Sequence, residues 1–223
     1  MDAIILAAGT GSRMRAGQNK AFMKLLDREM LLYTVDAFEK SCLTDAIIVV
    51  TGAEDIHGCK ELLKNTSKPV MVIEGGRTRQ ESSFIGVKKA KSDVVIIHDG
   101  ARPLITPEEI DDTAKTAEKY GGAAIGSPCV DTMKRCEGAS IVETVDREDL
   151  YKIYTPQCFN RKRLLELHEE AIENGVSVTD DCSLYEWGAE DVKIVLGSSL
   201  NIKLTTPEDV YIAEAILEKR SDI

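Results

Sequence analysis

Four short apolar runs set the limits on how this chain can fold. They are Ala3-Ile4-Ile5-Leu6-Ala7-Ala8, Ala46-Ile47-Ile48-Val49-Val50-Thr51, Val70-Met71-Val72-Ile73 and Val94-Val95-Ile96-Ile97. A run of β-branched residues with no polar alternation reads as a strand buried on both faces. Helical stretches lie between the runs: 31–40 places Leu32, Val35 and Phe38 on one stripe, and 56–64 follows the second run. This alternation predicts an α/β fold with a doubly wound, mostly parallel sheet. Such a sheet gathers the C-terminal ends of its strands at one edge, where ligands are usually held.

The first run breaks into Gly9-Thr10-Gly11-Ser12-Arg13-Met14, with Lys20 soon after. Glycine has no Cβ, so backbone N–H groups in such a turn can approach an anion closely. Arg13 and Lys20 add fixed positive charge. The third glycine of the dinucleotide-binding pattern G-x-G-x-x-G is missing, and no Lys-Ser/Thr pair marks a P-loop. A bare strand-to-loop turn with an exposed arginine is the plain alternative. The longer pattern L-A-A-G-x-G-S/T-R-M is more specific and looks like the phosphate loop of nucleotidyltransferases.

Further along, Gly75-Gly76-Arg77-Thr78-Arg79-Gln80-Glu81-Ser82-Ser83 opens a helix expected to reach about Lys91. It is either a second anion contact or a capped, solvated basic turn, and the stretch alone does not separate the two. His98-Asp99-Gly100-Ala101-Arg102-Pro103 follows the fourth run. An aspartate emerging from a central strand suits a divalent metal or a substrate hydroxyl, against a simple pairing with Arg102. His98 reads as a packing or hydrogen-bonding residue. Thr106-Pro107-Glu108-Glu109 has the cap, proline and acidic first turn of a helix running to Tyr120, and 123–128 is a further strand.

The region 130–147 has another character. Its two halves alternate apolar and polar residues across Glu137-Gly138-Ala139-Ser140, which predicts a β-hairpin. A two-stranded ribbon is marginal alone, so it is expected to project as an arm, at about 129–152, and clasp a second subunit. An edge hairpin folded onto its own sheet is the alternative. Tyr154-Thr155-Pro156-Gln157 is expected to lead into a helix at 161–174. Thr179-Asp180-Asp181-Cys182-Ser183 has the composition of a helix cap, 192–196 reads as a strand, and Lys203 precedes a capped C-terminal helix.

With 223 residues, 43% of them apolar, the chain is long enough for one large domain, taken as 1–223. No run spans a bilayer and no basic region precedes an apolar one, so a soluble, cytoplasmic protein without a membrane partner is expected. Six scattered cysteines with no C-x-x-C pair fit reduced thiols rather than disulfides or zinc. A net charge of −10 argues against nucleic-acid binding but leaves room for a local basic pocket.

Taken together, L-A-A-G-x-G-S-R-M, H-D-G-A-R-P, D-T-M-K-R, T-V-D-R, T-P-Q-x-F, T-D-D-x-S and N-I-K-L-T-x-P-E-D resemble the 2-C-methyl-D-erythritol 4-phosphate cytidylyltransferase family over essentially the whole chain. D-T-M-K-R with T-V-D-R is the narrow part of the match. Asn19 stands where the family often has proline. The resemblance implies a homodimeric, Rossmann-like nucleotidyltransferase fold of the non-mevalonate isoprenoid pathway, using Mg²⁺. It maps CTP contacts onto Ala7, Ala8, Gly9, Arg13, Lys20, Gly76, Ser82, Gly100 and Arg102, with any contact at Arg77 through the backbone. The methylerythritol phosphate would meet Asp99, Thr132, Arg147, Thr155, Thr179 and Lys203. Arg13, Lys20, Arg147 and Lys203 would be the catalytic charges, and Asp99 would help hold the metal. Thr132 and Arg147 would reach the neighbouring subunit's site.

The chemistry is consistent with that set. A phosphate monoester, with a second pKa of about 6, is already ionised near neutral pH and needs no strong base. Positioning and charge compensation are what remain. A cytidylyltransferase for another polyol phosphate, such as ribitol 5-phosphate, and a non-catalytic nucleotide-binding protein on the same fold are the competing readings.

Overall fold

The first apolar run forms β1 (Asp2–Leu6), buried except at Leu6. The computed structural model describes residues 1–9 and 22–221. The expectations for Arg13 and Lys20 therefore lie outside the described residues. Two short strands, β2 (Lys24–Leu25) and β3 (Arg28–Glu29), precede α1 (Met30–Lys40), β4 (Ala46–Thr51), α2 (Ile56–Leu62), β5 (Val70–Glu74), α3 (Arg79–Lys89), β6 (Val94–Asp99), α4 (Pro107–Tyr120) and β7 (Gly122–Pro128). The hairpin is β8 (Met133–Glu137) with β9 (Ser140–Val145). The chain returns through β10 (Tyr151–Asn160) to α5 (Arg161–Glu173), α6 (Asp181–Trp187), β11 (Lys193–Leu196) and α7 (Pro207–Ser221).

Seven strands make the central sheet in the order β11-β7-β10-β6-β1-β4-β5. β1 pairs in parallel with β4 and β6, and β4 with β5. Strand pleating sends alternate residues to opposite faces. Ala3, Ile5, Ile47, Val49 and Ile96 pack on one side against Leu31, Val35 and Phe38 of α1 and Ile110 and Ala114 of α4. Ile4, Ile48, Val50, Val95 and Ile97 pack on the other against Val87 of α3 and Leu164, Leu167 and Ala171 of α5. The sheet is covered on both faces, as a doubly wound fold requires. No helix among the described residues is long and apolar enough to cross a membrane.

Residues 154–157 lead to a helix, α5, as expected. The strand they belong to was not expected: β10 is ten residues long and runs antiparallel between β6 and β7. Its register against β7 shifts between Ile153 and Gln157. A proline cannot donate to a ladder, so within a central strand it belongs at such an irregularity. Pro156 sits there, and the disturbance turns Thr155 toward the end of β6, where its Oγ1 accepts a 3.0 Å hydrogen bond from Asp99 N.

The expected hairpin pairs β8 with β9 in antiparallel register. It forms its own two-stranded sheet, apart from the central one, and every residue from 130 to 144 is exposed. Val130, Ile141 and Val142 leave 72%, 66% and 53% of their surface open, a solvent-facing apolar content that a self-sufficient hairpin would not need.

Candidate active site

Parallel pairing of β6, β1, β4 and β5 places their C-terminal ends on one edge, and most of the expected site residues lie there. Ala7 is anchored by a 2.7 Å hydrogen bond from its N to Val50 O, and Ala8 and Gly9 follow it out of the sheet. Gly100 N donates to Leu6 O at 2.9 Å. A Cβ at Gly75 would come within 3.0 Å of Ala8 Cβ and 2.8 Å of Ser82 Oγ. Only glycine lets the loop after β5 approach that closely. Gly76 N donates to Ser82 Oγ at 3.1 Å, and Ser82 Oγ donates to Thr78 O at 2.9 Å. Ala8, Gly75, Gly76 and Ser82 thus form a small-residue cradle, with Ala7 and Gly9 adjoining in the chain and Gly100 at the end of β6.

The turn that opens α3 shows the capping expected of its sequence. Thr78 caps the helix, accepting from Glu81 N, and Arg77 N donates to Glu81 Oε2 at 2.7 Å, leaving the Arg77 side chain in solvent. Arg79 turns inward. Its Nη1 lies 2.8 Å from Asp181 Oδ2 and its Nε 3.4 Å from Asp99 Oδ1.

Asp99, the last residue of β6, is the centre of the charged part of the site. Lys203 Nζ lies 2.7 Å from its Oδ2 and Arg102 Nε 3.7 Å from the same oxygen. Burial pushes the Asp99 carboxyl up, but Arg79, Lys203 and Arg102 outweigh it and hold the group down at about 2. Arg102 is itself fixed, donating from Nη1 to Asn201 O at 2.7 Å and standing over the Tyr154 ring. Asn201 Nδ2 donates to Thr155 O, and Leu204 N to Ala101 O, so the segment bearing Lys203 is tied to the loop after β6.

His98, fully buried, has Nε2 3.1 Å from Arg102 O and Nδ1 3.0 Å from Thr155 Oγ1. Arg102 O can only accept, so the neutral ring carries its proton on Nε2 and Nδ1 accepts from the Thr155 hydroxyl. Burial lowers the imidazole to about 4. The expected supporting role of His98 is what the geometry gives it.

The structure therefore brings Asp99, Arg102, Thr155 and Lys203 together. Thr179 is exposed in the loop before α6, which Gln80 ties to α3 by accepting from Val178 N at 3.1 Å. Thr132 and Arg147 stand apart: both are exposed on the arm segment, where Arg147 Nη1 donates to Val130 O. Among the described residues, no hydrogen bond or ion pair links either to the Asp99 cluster within this chain.

Sequence reading missed Arg79, Asp181 and Gln157. Asp180 does cap α6, as expected of its cluster, accepting from Ser183 N. Asp181 does not. It is 1% exposed, and Ser83 Oγ donates to its Oδ1 at 2.6 Å, with His168 Nε2 3.4 Å away. Burial pushes its carboxyl up, but Arg79, followed by His168 and Ser83, overcomes that and holds it well below the usual range. Gln157 ties β10 to the start of α6, donating to Asp180 Oδ2 at 2.7 Å and accepting from the Asp181 backbone N at 3.1 Å.

Residues 1–219 match the family described as 2-C-methyl-D-erythritol 4-phosphate cytidylyltransferase. The chain belongs to this family. A protein of that name from Halalkalibacterium halodurans is 42% identical over 220 residues, covering 97% of this chain and 96% of its own. One from Clostridium acetobutylicum is 41% identical over 224 residues, with 98% of each covered. Among solved structures, 4-diphosphocytidyl-2C-methyl-D-erythritol synthase from Anaerococcus prevotii superposes with a TM-score of 0.87 at 32% identity, over 97% of both chains. The family resemblance carried by the motifs and the α/β nucleotidyltransferase architecture both hold. The Asp99 cluster and the small-residue cradle sit on the strand ends of that architecture.

Proposed function

We propose that this protein transfers CMP from CTP to 2-C-methyl-D-erythritol 4-phosphate, releasing pyrophosphate, in the non-mevalonate route to isoprenoid precursors. Family membership over residues 1–219 is the observation that carries this reading. The site supports it chemically. A cradle of backbone amides and small residues suits a nucleotide, and the cations beside it suit converging phosphates. Arg13 and Lys20 are assigned to the phosphates that transfer and leave. Lys203 and Arg147 are assigned to the attacking phosphate, with Thr155, Thr179, Thr132 and Asp99 around the polyol. Attack by one phosphate oxygen on the α-phosphorus forms the new P–O bond as the bond to pyrophosphate breaks.

Among the described residues no three His, Cys, Asp or Glu side chains gather into a metal site. Asp99 offers one carboxylate, and Lys203 holds one of its oxygens. That donor set fits a Mg²⁺ ion carried in on the triphosphate, since Mg²⁺ commonly takes one or two carboxylates and completes its shell with phosphate and water. Bound there, it would neutralise charge shared between the CTP phosphates.

The exposed apolar residues of the arm support a homodimer in which each arm covers the partner and brings Thr132 and Arg147 to its site. One 1–223 domain working in the cytoplasm on soluble anions, without nucleic acid or membrane, completes the reading. Pyrophosphate release with CTP and Mg²⁺ is the test. It should require 2-C-methyl-D-erythritol 4-phosphate, and release with ribitol 5-phosphate alone would overturn the substrate assignment.

A further inference from the structure

Three cations surround Asp99, but they are held very differently. Lys203 is the outermost: its side chain is 41% exposed, against 25% for Arg79 and 10% for Arg102. Its Nζ donates to Asp99 Oδ2 at 2.7 Å. Arg102 is fixed by Asn201 O and the Tyr154 ring, and stands 3.7 Å from Asp99. Arg79 is locked from behind. Its Nη1 meets Asp181, which is 1% exposed and is held in turn by Ser83 Oγ and by Gln157 through its own N–H. Among the described residues Arg79 Nη2 is buried without a hydrogen-bond partner, so the fork sits where its two carboxylates put it rather than where each nitrogen is satisfied.

In the functional reading above, Lys203 must turn from Asp99 to the phosphate of the incoming polyol. One of the carboxylate's two cation contacts within 3.4 Å then goes. We propose that Arg79 is a positioning residue for the transfer, holding Asp99 in place against the buried Asp181 while Lys203 leaves it for the attacking phosphate. A carboxylate released on both sides would be free to rotate or to recapture Lys203. Either would cost the in-line geometry on which the rate depends, without much change in the nucleotide cradle. Lysine could not replace Arg79, because a single ammonium cannot span Asp99 and Asp181 as the planar guanidinium does.

This inference rests on the proposed activity and is tested by a double-substitution cycle on the full-length protein. Parent, Arg79→Ala, Asp99→Asn and Arg79→Ala/Asp99→Asn are compared for kcat, for KM of both substrates and for melting temperature. Arg79→Ala should lower kcat about tenfold to a hundredfold while KM for CTP moves less than about threefold. The double variant should be no slower than Asp99→Asn alone, because Arg79 acts through that carboxylate. Losses that multiply in the double variant would overturn the proposal. If Arg79→Ala does not fold, Arg79→Lys and Asp181→Asn carry the test, and each must lose kcat with CTP binding retained. Parent-like kcat in either would overturn it equally. A parent without activity on the polyol phosphate would bring down the functional reading and this inference together. An active parent with multiplying losses would bring down this inference alone.

Discussion

Two ion pairs of nearly the same length frame the molecule. Arg79 and Asp181 meet at 2.8 Å at the strand ends, and Arg135 and Glu143 meet at 2.7 Å across the arm. Their side chains are 25% and 1% exposed in the first case and 68% and 52% in the second. Distance is therefore no guide to what each contributes. The first pair is part of a buried lattice in which removing one member strands the others. The second is screened by water and can be lost almost freely. The strand ends hold their charged groups within one chain, whereas the arm, among the described residues, stays exposed along 130–144.

The largest effect should come from Asp181→Ala, which leaves Arg79 and Ser83 without their shared acceptor. Breaking a buried pair in this way typically costs about 3 kcal/mol, readable as a lower midpoint in urea unfolding. Asp181→Asn, which keeps the shape, should lose less.

Next comes acid. His98 titrates near 4 in the fold, below its ordinary 6.5, because burial disfavours the charged ring. Between those values the unfolded chain binds a proton that the native state refuses, so stability falls as pH drops from about 6.5 toward 4. The loss should approach about 3 kcal/mol by pH 4. Unfolding free energies of the parent and His98→Gln from pH 7 to 4 isolate this contribution, since the other groups titrate in both. Parallel curves would show that His98 is not the group responsible.

The smallest effect belongs to the arm. Arg135→Ala should change unfolding free energy by less than about 1 kcal/mol. Ile141→Asp with Val142→Asp should leave the unfolding of the body unchanged and convert a dimer to monomers in sedimentation. A body destabilised as much as by Asp181→Ala would mean that the arm folds back on its own chain.

The same contrast explains what could be read in the sequence. β1, β4 and β6 were legible because strands covered on both faces carry unbroken apolar runs, and β5 carries a similar run although it lies at the sheet edge with none of its residues buried. The arm was legible because it alternates. β10 was hidden by Pro156 and by Thr155 and Gln157, polar residues whose partners lie on other elements. Asp99, Arg102 and Lys203 could be singled out from motifs at strand and helix ends. Arg79 and Asp181 could not, since they are 102 residues apart and each sits in a cluster that reads locally as a helix cap. A buried carboxylate and a capping one share the same neighbours in sequence and differ in what folds over them.

The most direct test of the account is whether one subunit's arm completes the other's site. Arg147→Ala and Lys203→Ala should each be nearly inactive as homodimers. In a co-expressed and purified heterodimer of the two, one site would combine an intact Lys203 from one chain with an intact Arg147 from its partner. Pyrophosphate release should then rise well above either homodimer, toward half of the parent's rate. A verified heterodimer no more active than the single variants would show that both charges act within one chain, and would contradict the shared site.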